Sequence, residues 1–315
     1  MKKHFKIAIQ MDPLETINPK EDSTFVIAKE AQDRGYKIFH YLAKDISLKN
    51  NQVAAEGCYF KILKNKKKIF KKEKKVTKNL EDFDCILVRQ DPPFNLDYIT
   101  STYFLDLLDK KVLVLNNPTE IRNNPEKLSI FNFKNLMTKT LVSENLNEII
   151  KFIKSNQFTI LKPLYGNGGE GIEKVSKNSI NNKKLILKMF KKYKSPIVAQ
   201  KFIKEIQFGD RRIILFDGEY MGSVARIPKQ GSIKANFHSG GIAKKTGYMF
   251  RDKAICLRLK SFLKKNDLFF AGIDVIGNYL TEINITSPTG IQEINRLNNV
   301  RLEKVFWDKL EKKLN

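Results

Sequence analysis

Cysteine is scarce in this chain. Three of 315 residues are cysteine, Cys58, Cys85 and Cys256, widely spaced and without a CxxC pair. An odd, sparse count excludes a disulfide framework and a zinc cluster. Histidine is equally thin, at His4, His40 and His238, so no Ser-His-Asp or Cys-His arrangement is on offer. Long apolar runs are missing: a stretch such as Ile213 to Phe216 is far below the ~20 residues that span a bilayer. The opening MKKHFKIAIQMDP has too short an apolar run for a secretory signal, and no small-residue cleavage site follows. These absences predict a cytoplasmic, soluble protein with no membrane partner.

Acidic residues are also in deficit, 34 against 58 Lys and Arg, for a net charge of +24. Such a charge ordinarily points to nucleic acid. Only ten of the 58 are arginine, however, and bidentate phosphate and base contacts favour arginine. Lys, Asn and Ile are the residues of A/T-rich codons, so composition bias accounts for the excess. The run KILKNKKKIFKKEKKVTK, residues 61 to 78, reads as a solvated hairpin or loop, and nucleic acid is not expected to be the main partner.

What is present is a folded, multidomain composition: 42% hydrophobic residues and 22 Phe in a chain long enough for two or three domains. FKIAIQMD, a helix ending at Gly35 and YKIFHYL make a strand-helix-strand unit, hence an N-terminal open α/β sheet. FDCILVRQDPPF and KVLVLNNP add strands, with a helix expected over Leu96 to Lys110 between them. Ligands of such sheets bind at the carboxyl ends of strands, where Asp12, Arg89 and Asn116 fall. After about residue 120 the style changes to antiparallel hairpins, with turn signals at Asp217-Gly218 and Gly277-Asn278.

Two stretches carry chemistry. LKPLYGNGGEGI packs four glycines into six residues, giving a loop whose N–H groups can wrap phosphate oxygens, with Lys162 on the strand feeding it. It is neither a Walker A sequence nor a Rossmann fingerprint. In AGIDVIGNYLTEINITSPTG, the turn at Gly277-Asn278 brings Asp274 towards Glu282 or Asn284, which share one strand face. An isolated E-x-N is more often an exposed polar strand face. Three oxygen ligands with no basic neighbour in the sequence repel one another unless a cation joins them, and few protein oxygens suit Mg²⁺.

The order of MDP, RQDPPF, EKL, LKPLYGNGGEGI, DRRIILFDGE, ARIP and GIDVIG…LTEINITSPTG resembles bacterial glutathione synthetase, of the ATP-grasp superfamily, over nearly the whole chain. The resemblance implies an N-terminal domain at 1–122, an ATP-grasp subdomain with the glycine loop at 123–200 and a second, with lid and metal site, at 201–315. It implies ATP-dependent joining of γ-glutamylcysteine to glycine through an acyl phosphate, with Mg²⁺ (or Mn²⁺) as the metal and a homo-oligomer, tetramer or dimer, as the assembly.

Carried over by position, Lys127 and Lys162 contact the ATP phosphates beside Gly166, Gly168 and Gly169. Gln200, Lys201, Phe202 and Ile203 form the adenine edge, with Asp210 also on the nucleotide. Asp274, Glu282 and Asn284 hold the metal. Arg212 and Arg226 face the phosphate and the carboxylate being activated. Ser287 and Thr289 bind the peptide, and Arg89 its other end. The segment IPKQGSIKANFHSGG, residues 227 to 241, is the lid. Lys234 takes a position where better-known members carry arginine, keeping the charge without the fork. Gln90 stands where a basic residue is expected, and His238 reads as an exposed lid residue. The competing readings are another ATP-grasp carboxylate-amine ligase, or a basic RNA-binding protein.

Overall fold

The computed structural model describes residues 4–65 and 68–315, apart from the His238 side chain. Lys66 and Lys67, inside the basic run, and the exposure expected of the His238 side chain lie outside the described residues. Among those described, no helix is long and apolar enough to cross a membrane.

The first sheet begins with β1 (Lys6–Gln10), and α1 (Ser23–Asp33) follows, started by the Asp22 carboxylate accepting from Phe25 N at 2.6 Å. β2 (Lys37–Lys49) runs seven residues beyond Leu42, the end of the expected strand, because Asn50 and Asn51, at φ 50° and 60°, turn it into a hairpin with β3 (Gln52–Ile62). β4 (Phe70–Lys72) and β5 (Val76–Asn79) both pair with β3, so the described part of the basic run is hairpin. β6 (Cys85–Val88), α2 (Leu96–Asp106), β7 (Leu113–Leu115) and α3 (Pro118–Asn123) complete the unit. The strand order is β4-β3-β2-β1-β6-β7, parallel from β2 to β7, with β5 also against β3. α2 stops short of Lys110 because Asp109 makes its own turn, accepting from Lys111 N through its carboxylate and from Val112 N through its carbonyl.

The second sheet holds β8 (Thr140–Ser143), β9 (Phe158–Pro163), β10 (Glu173–Ser176) and β11 (Ile197–Lys201), ordered β10-β9-β11-β8 and wholly antiparallel. α4 (Leu146–Lys154) and α5 (Asn182–Tyr193) cover one face, packing Ile149, Ile153, Ile186 and Met189 on Leu161, Val175 and Ala199. Alternation leaves Lys162 and Gln200 on the other face.

The third sheet comprises β12 (Asp210–Phe216), β13 (Glu219–Ile227), β14 (Ile242–Lys245), β15 (Phe270–Ile276) and β16 (Tyr279–Asn284), ordered β14-β13-β12-β15-β16. α6 (Phe250–Lys265) lays Ile255, Leu259 and Leu263 on Ile213, Leu215, Ile273 and Val275. α7 (Ile291–Asn298) and α8 (Leu302–Leu314) then return to the beginning of the chain. Phe306, Trp307 and Leu310 share one core with Ile7, Ile9 and Ile27, and Trp307 Nε1 donates to Ile27 O at 2.8 Å.

Candidate active site

Two bulges build the floor of the site. In the hairpin β12–β13, Asp217 and Gly218 supply the two left-handed residues of a tight turn, at φ 52° and 71°. Straight pairing from that turn would set Asp210 against Ala225. The register shifts by one between Ile214 and Leu215, and Asp210 faces Arg226 instead. The hairpin β15–β16 repeats the device: a shift between Asp274 and Val275 moves the partner of Asp274 from Thr281 to Glu282. A one-residue slip exchanges the faces of a strand, so both bulges decide which side chains reach the site. Asp210, Arg212, Arg226, Asp274, Glu282 and Asn284 consequently share one face of the third sheet.

That face is not the bare acidic cluster that the sequence suggested. Asp274 is buried, with its oxygens taken by arginine: Arg212 Nε and Nη2 lie 2.6 and 3.0 Å away, and Arg226 Nη2 lies 2.8 Å away. Burial alone would raise its pKa, but the two guanidiniums hold it well below the ordinary carboxylate range. Arg226 is itself bonded by Asp210 through Nε and Nη2, at 2.7 and 2.6 Å. The expected lack of basic neighbours fails because β12 and β13 bring arginines in from 48 and 62 residues upstream.

Glu282 is different. Its Oε1 lies 3.7 Å from the ammoniums of both Lys127 and Lys162. Lys162 sits on the open face of β9, and burial pushes its pKa down against the opposing pull of Glu282. Lys127 donates to Gly166 O, tying the segment after α3 to the glycine loop. A cavity of about 380 Å³ opens here between the second and third sheets. It is lined by Lys127, Lys162, Glu282, Asn284, Arg212 and Arg226, by Gly166, Gly168 and Gly169, and by Ser287 and Thr289.

The segment expected as the lid, residues 227–241, borders one side. Its Asn236 and Phe237 line the cavity, and Ser239 Oγ donates to Gly168 O at 2.8 Å. Gly169, at φ 82°, leaves room for that approach; a Cβ there would lie 2.7 Å from Ser239 Oγ. Lys234 is outside the cavity lining, its Cβ 3.9 Å from where a Cβ on Gly169 would sit. Gln200 is buried and donates to Thr140 Oγ1 at 3.1 Å. Lys201, Phe202 and Ile203 line a separate cavity of about 350 Å³ with Phe158 and Tyr279, and Lys174 stands over the Phe158 and Phe202 rings.

Towards the first sheet, a cavity of about 300 Å³ shares Asp91, Phe237 and Thr289 with the main one. Arg89, at the carboxyl end of β6, donates to Thr24 Oγ1 and Pro288 O, both at 3.0 Å, while its buried Nη1 has no hydrogen-bond partner among the described residues. Around it stand Asp12, Glu21, Asp22, Asp91 and Glu293. Burial raises the pKa of Asp12, Asp22 and Glu293. Gln90, expected only as the loss of a basic contact, is buried and accepts from Gln10 Nε2 at 2.6 Å. Asn116 is not directed at a ligand: it bonds Phe270 N, Phe270 O and Ile285 O, joining the first sheet to the third.

As to a metal, Glu282 and Asn284 both line the cavity, and Asn284 turns its Nδ2 to Gly272 O at 3.1 Å, leaving Oδ1 as an acceptor. Among the described residues no group of three or more His, Cys, Asp or Glu could hold a metal ion. One carboxylate and one amide oxygen fit Mg²⁺, which keeps its remaining positions for water and phosphate. Asp274, engaged by two arginines, stands behind them. No sequence signal singled out Glu126: half-buried on the cavity wall, it accepts from Thr286 Oγ1 at 2.8 Å. The run EKL marks its position without showing which strand it meets.

Residues 5–122 match the N-terminal domain of prokaryotic glutathione synthetase, and residues 126–299 its ATP-grasp domain. A protein named glutathione synthetase from Brucella melitensis is 39% identical over 306 residues, covering 97% of this chain and 98% of that one. Another of that name, from Agrobacterium fabrum, is 39% identical over 313 residues, covering 99% and 98%. Among solved structures, D-cycloserine synthetase DcsG has a TM-score of 0.69 at 10% identity, over 98% of this chain and 100% of that one. D-alanyl-alanine synthetase A from Vibrio cholerae has a TM-score of 0.62 at 12% identity, over 100% and 99%. At those identities the structures share the fold alone.

Proposed function

On the premise that this chain belongs to the prokaryotic glutathione synthetase family and carries out ATP-dependent glutathione synthesis, we propose that the cavity between the second and third sheets activates the carboxylate of γ-glutamylcysteine as an acyl phosphate, which glycine then attacks. The observation that carries this reading is Glu282 set between Lys127 and Lys162 on the rim of a floor of buried arginines.

Turning a carboxylate into an acyl phosphate, a mixed anhydride whose leaving group is phosphate, by γ-phosphoryl transfer needs positioning and charge neutralisation, not an acid/base dyad. Lys127, Lys162 and the N–H groups of the glycine loop would bind the triphosphate. Arg212 and Arg226, held rigid by Asp274 and Asp210, would present positive charge where phosphate meets carboxylate. Glu282 and Asn284 would hold Mg²⁺, which when bound neutralises phosphate charge. Ser287 and Thr289 would hold the peptide beside that junction. The unpartnered Arg89 Nη1 and the surrounding carboxylates would take the two ends of the glutamyl amino acid group, a carboxylate and an ammonium. The lid, fastened to the glycine loop through Ser239, would keep water from the acyl phosphate.

The reading also assigns Gln200 to Ile203 and Asp210 to the nucleotide, Lys234 to the closed lid, and the domain divisions to residues near 122 and 200. The test is ADP release with γ-glutamylcysteine and glycine, with D-alanine in place of glycine, and with no acceptor. Glycine should give the fastest release and a peptide product. Equal rates with D-alanine, or none with γ-glutamylcysteine, would overturn the substrate assignment.

A further inference from the structure

Glu126 has no task in the chemistry above, yet it forms part of the wall of the main cavity. It is held firmly: its carboxylate accepts from Thr286 Oγ1 at 2.8 Å and its carbonyl from Ile283 N at 3.1 Å. A carboxylate enclosed where phosphates arrive is repelled by them unless a cation comes too. Lys127, beside it in the chain, is turned to Gly166 O and Glu282. Burial raises the pKa of Glu126, the Lys127 charge opposes this and Glu282 adds to it.

Glu126 also lines a second, much smaller cavity that opens from the first. Its volume is about 20 Å³, and the rings of Phe94 and Tyr165, 6.1 Å apart, form part of its wall. A space of that size holds little more than one water-sized group. It would take a methylene and refuse a side chain. Thr286, next in sequence to Ser287, where the peptide is placed above, lines both cavities.

We infer that the amine acceptor seats its ammonium on Glu126 and its α-carbon in the side cavity between Phe94 and Tyr165, so that the site selects an α-amino acid without a side chain. The inference rests on the ligase reading above and assigns the part of the cavity which that reading leaves without an occupant. Glu126 supplies the counter-charge for an ammonium, and the two rings set the size limit. Together they place the acceptor at the Thr286 end of the 286–289 segment, while Arg89, whose cavity receives the other end of the peptide, bonds it at Pro288.

Initial rates on the full chain test this, with the KM of glycine, ATP and γ-glutamylcysteine measured for Glu126→Gln, Glu126→Asp and Phe94→Ala. Loss of one charge-assisted contact should raise the glycine KM of Glu126→Gln roughly tenfold or more. The other two KM values should stay within about twofold, a difference too small to represent a lost contact. Glu126→Asp should recover part of the loss, and Phe94→Ala should admit alanine as acceptor. An unchanged glycine KM, or a parallel rise in all three, would overturn the inference, the latter showing a structural role. If Glu126→Gln does not fold, Glu126→Asp carries the same comparison. A wild-type protein inactive with γ-glutamylcysteine and glycine refutes the ligase reading; an active one with an indifferent Glu126 refutes only the acceptor seat.

Discussion

Arg89 Nη2 donates to Pro288 O at 3.0 Å, across 199 residues of chain, and Ser287 Oγ donates back to Arg89 O at 3.2 Å. The first sheet and the segment after β16 are thus clasped at the point where the main cavity meets the one around Arg89. Burial lowers the pKa of Arg89, but a guanidinium stays charged at any working pH.

Arg89→Lys keeps the charge and loses the fork. The KM for γ-glutamylcysteine should rise about tenfold, the value of one charge-assisted hydrogen bond, while the KM for ATP stays put. Steady-state kinetics with each substrate varied in turn checks it; an equal rise for ATP would place Arg89 in general architecture instead.

Glu282→Gln should lower kcat on the order of 10²-fold, the usual cost of one preorganised charge at a reacting centre. The Mg²⁺ concentration giving half-maximal rate should rise, and circular dichroism should show an intact fold. Wild-type rates at limiting Mg²⁺ would refute the role.

Asp274→Asn should act on stability first. It leaves Arg212 and Arg226 buried without their shared counter-ion, at a cost of about 3–5 kcal/mol. The pH dependence has a definite sign. The folded carboxylate binds its proton at lower pH than the unfolded one, so the unfolded chain holds more protons as acid is added. The stabilisation is therefore complete above the unfolded value of ~3.9 and is lost as the pH falls below it. Urea titrations of both proteins should show the gap narrowing in acid and constant at neutral pH.

Ser239→Ala removes the hydroxyl that fastens the lid to Gly168. Phosphate released per peptide bond should rise clearly above one, as water competes with glycine for the acyl phosphate. Cutting the chain between Lys234 and Asn236 should do the same more strongly. Parallel assays of phosphate and glutathione check both; a cleaved protein that stays fully coupled would show that the lid does not exclude water.

The sequence makes the strand faces legible where alternation and turn residues agree. Glu282 and Asn284 read as neighbours on one face because they are two apart, and Gly277-Asn278 locates the turn that returns them to Asp274. The bulges are not legible: no residue type announces the extra residues Met221 and Thr281, and counting back from each turn gives the wrong partner. The arginine partners of Asp274 were hidden for a related reason, since sequence distance says nothing about which strands lie side by side. Asn116 shows the opposite failure, its place at a strand end inviting a ligand role when its amide joins two sheets. In the first sheet, the Asn50-Asn51 turn was available to sequence reading and went unused.

The helix that ends the chain sits in the core that begins it. Trp307 is fully buried against α1, and Arg34 is tied to Asp308 and Glu311 at 2.8 and 2.7 Å. Domains emerging from a ribosome generally fold in order, first made first. This fold runs against that order, because part of the core over the first sheet is supplied by Phe306, Trp307 and Leu310 of α8. A nascent chain stalled before Phe306 therefore lacks α8's share of the cover over α1 and the first sheet. Damage to α8 thus loosens the first sheet, far from it in the chain, together with the third.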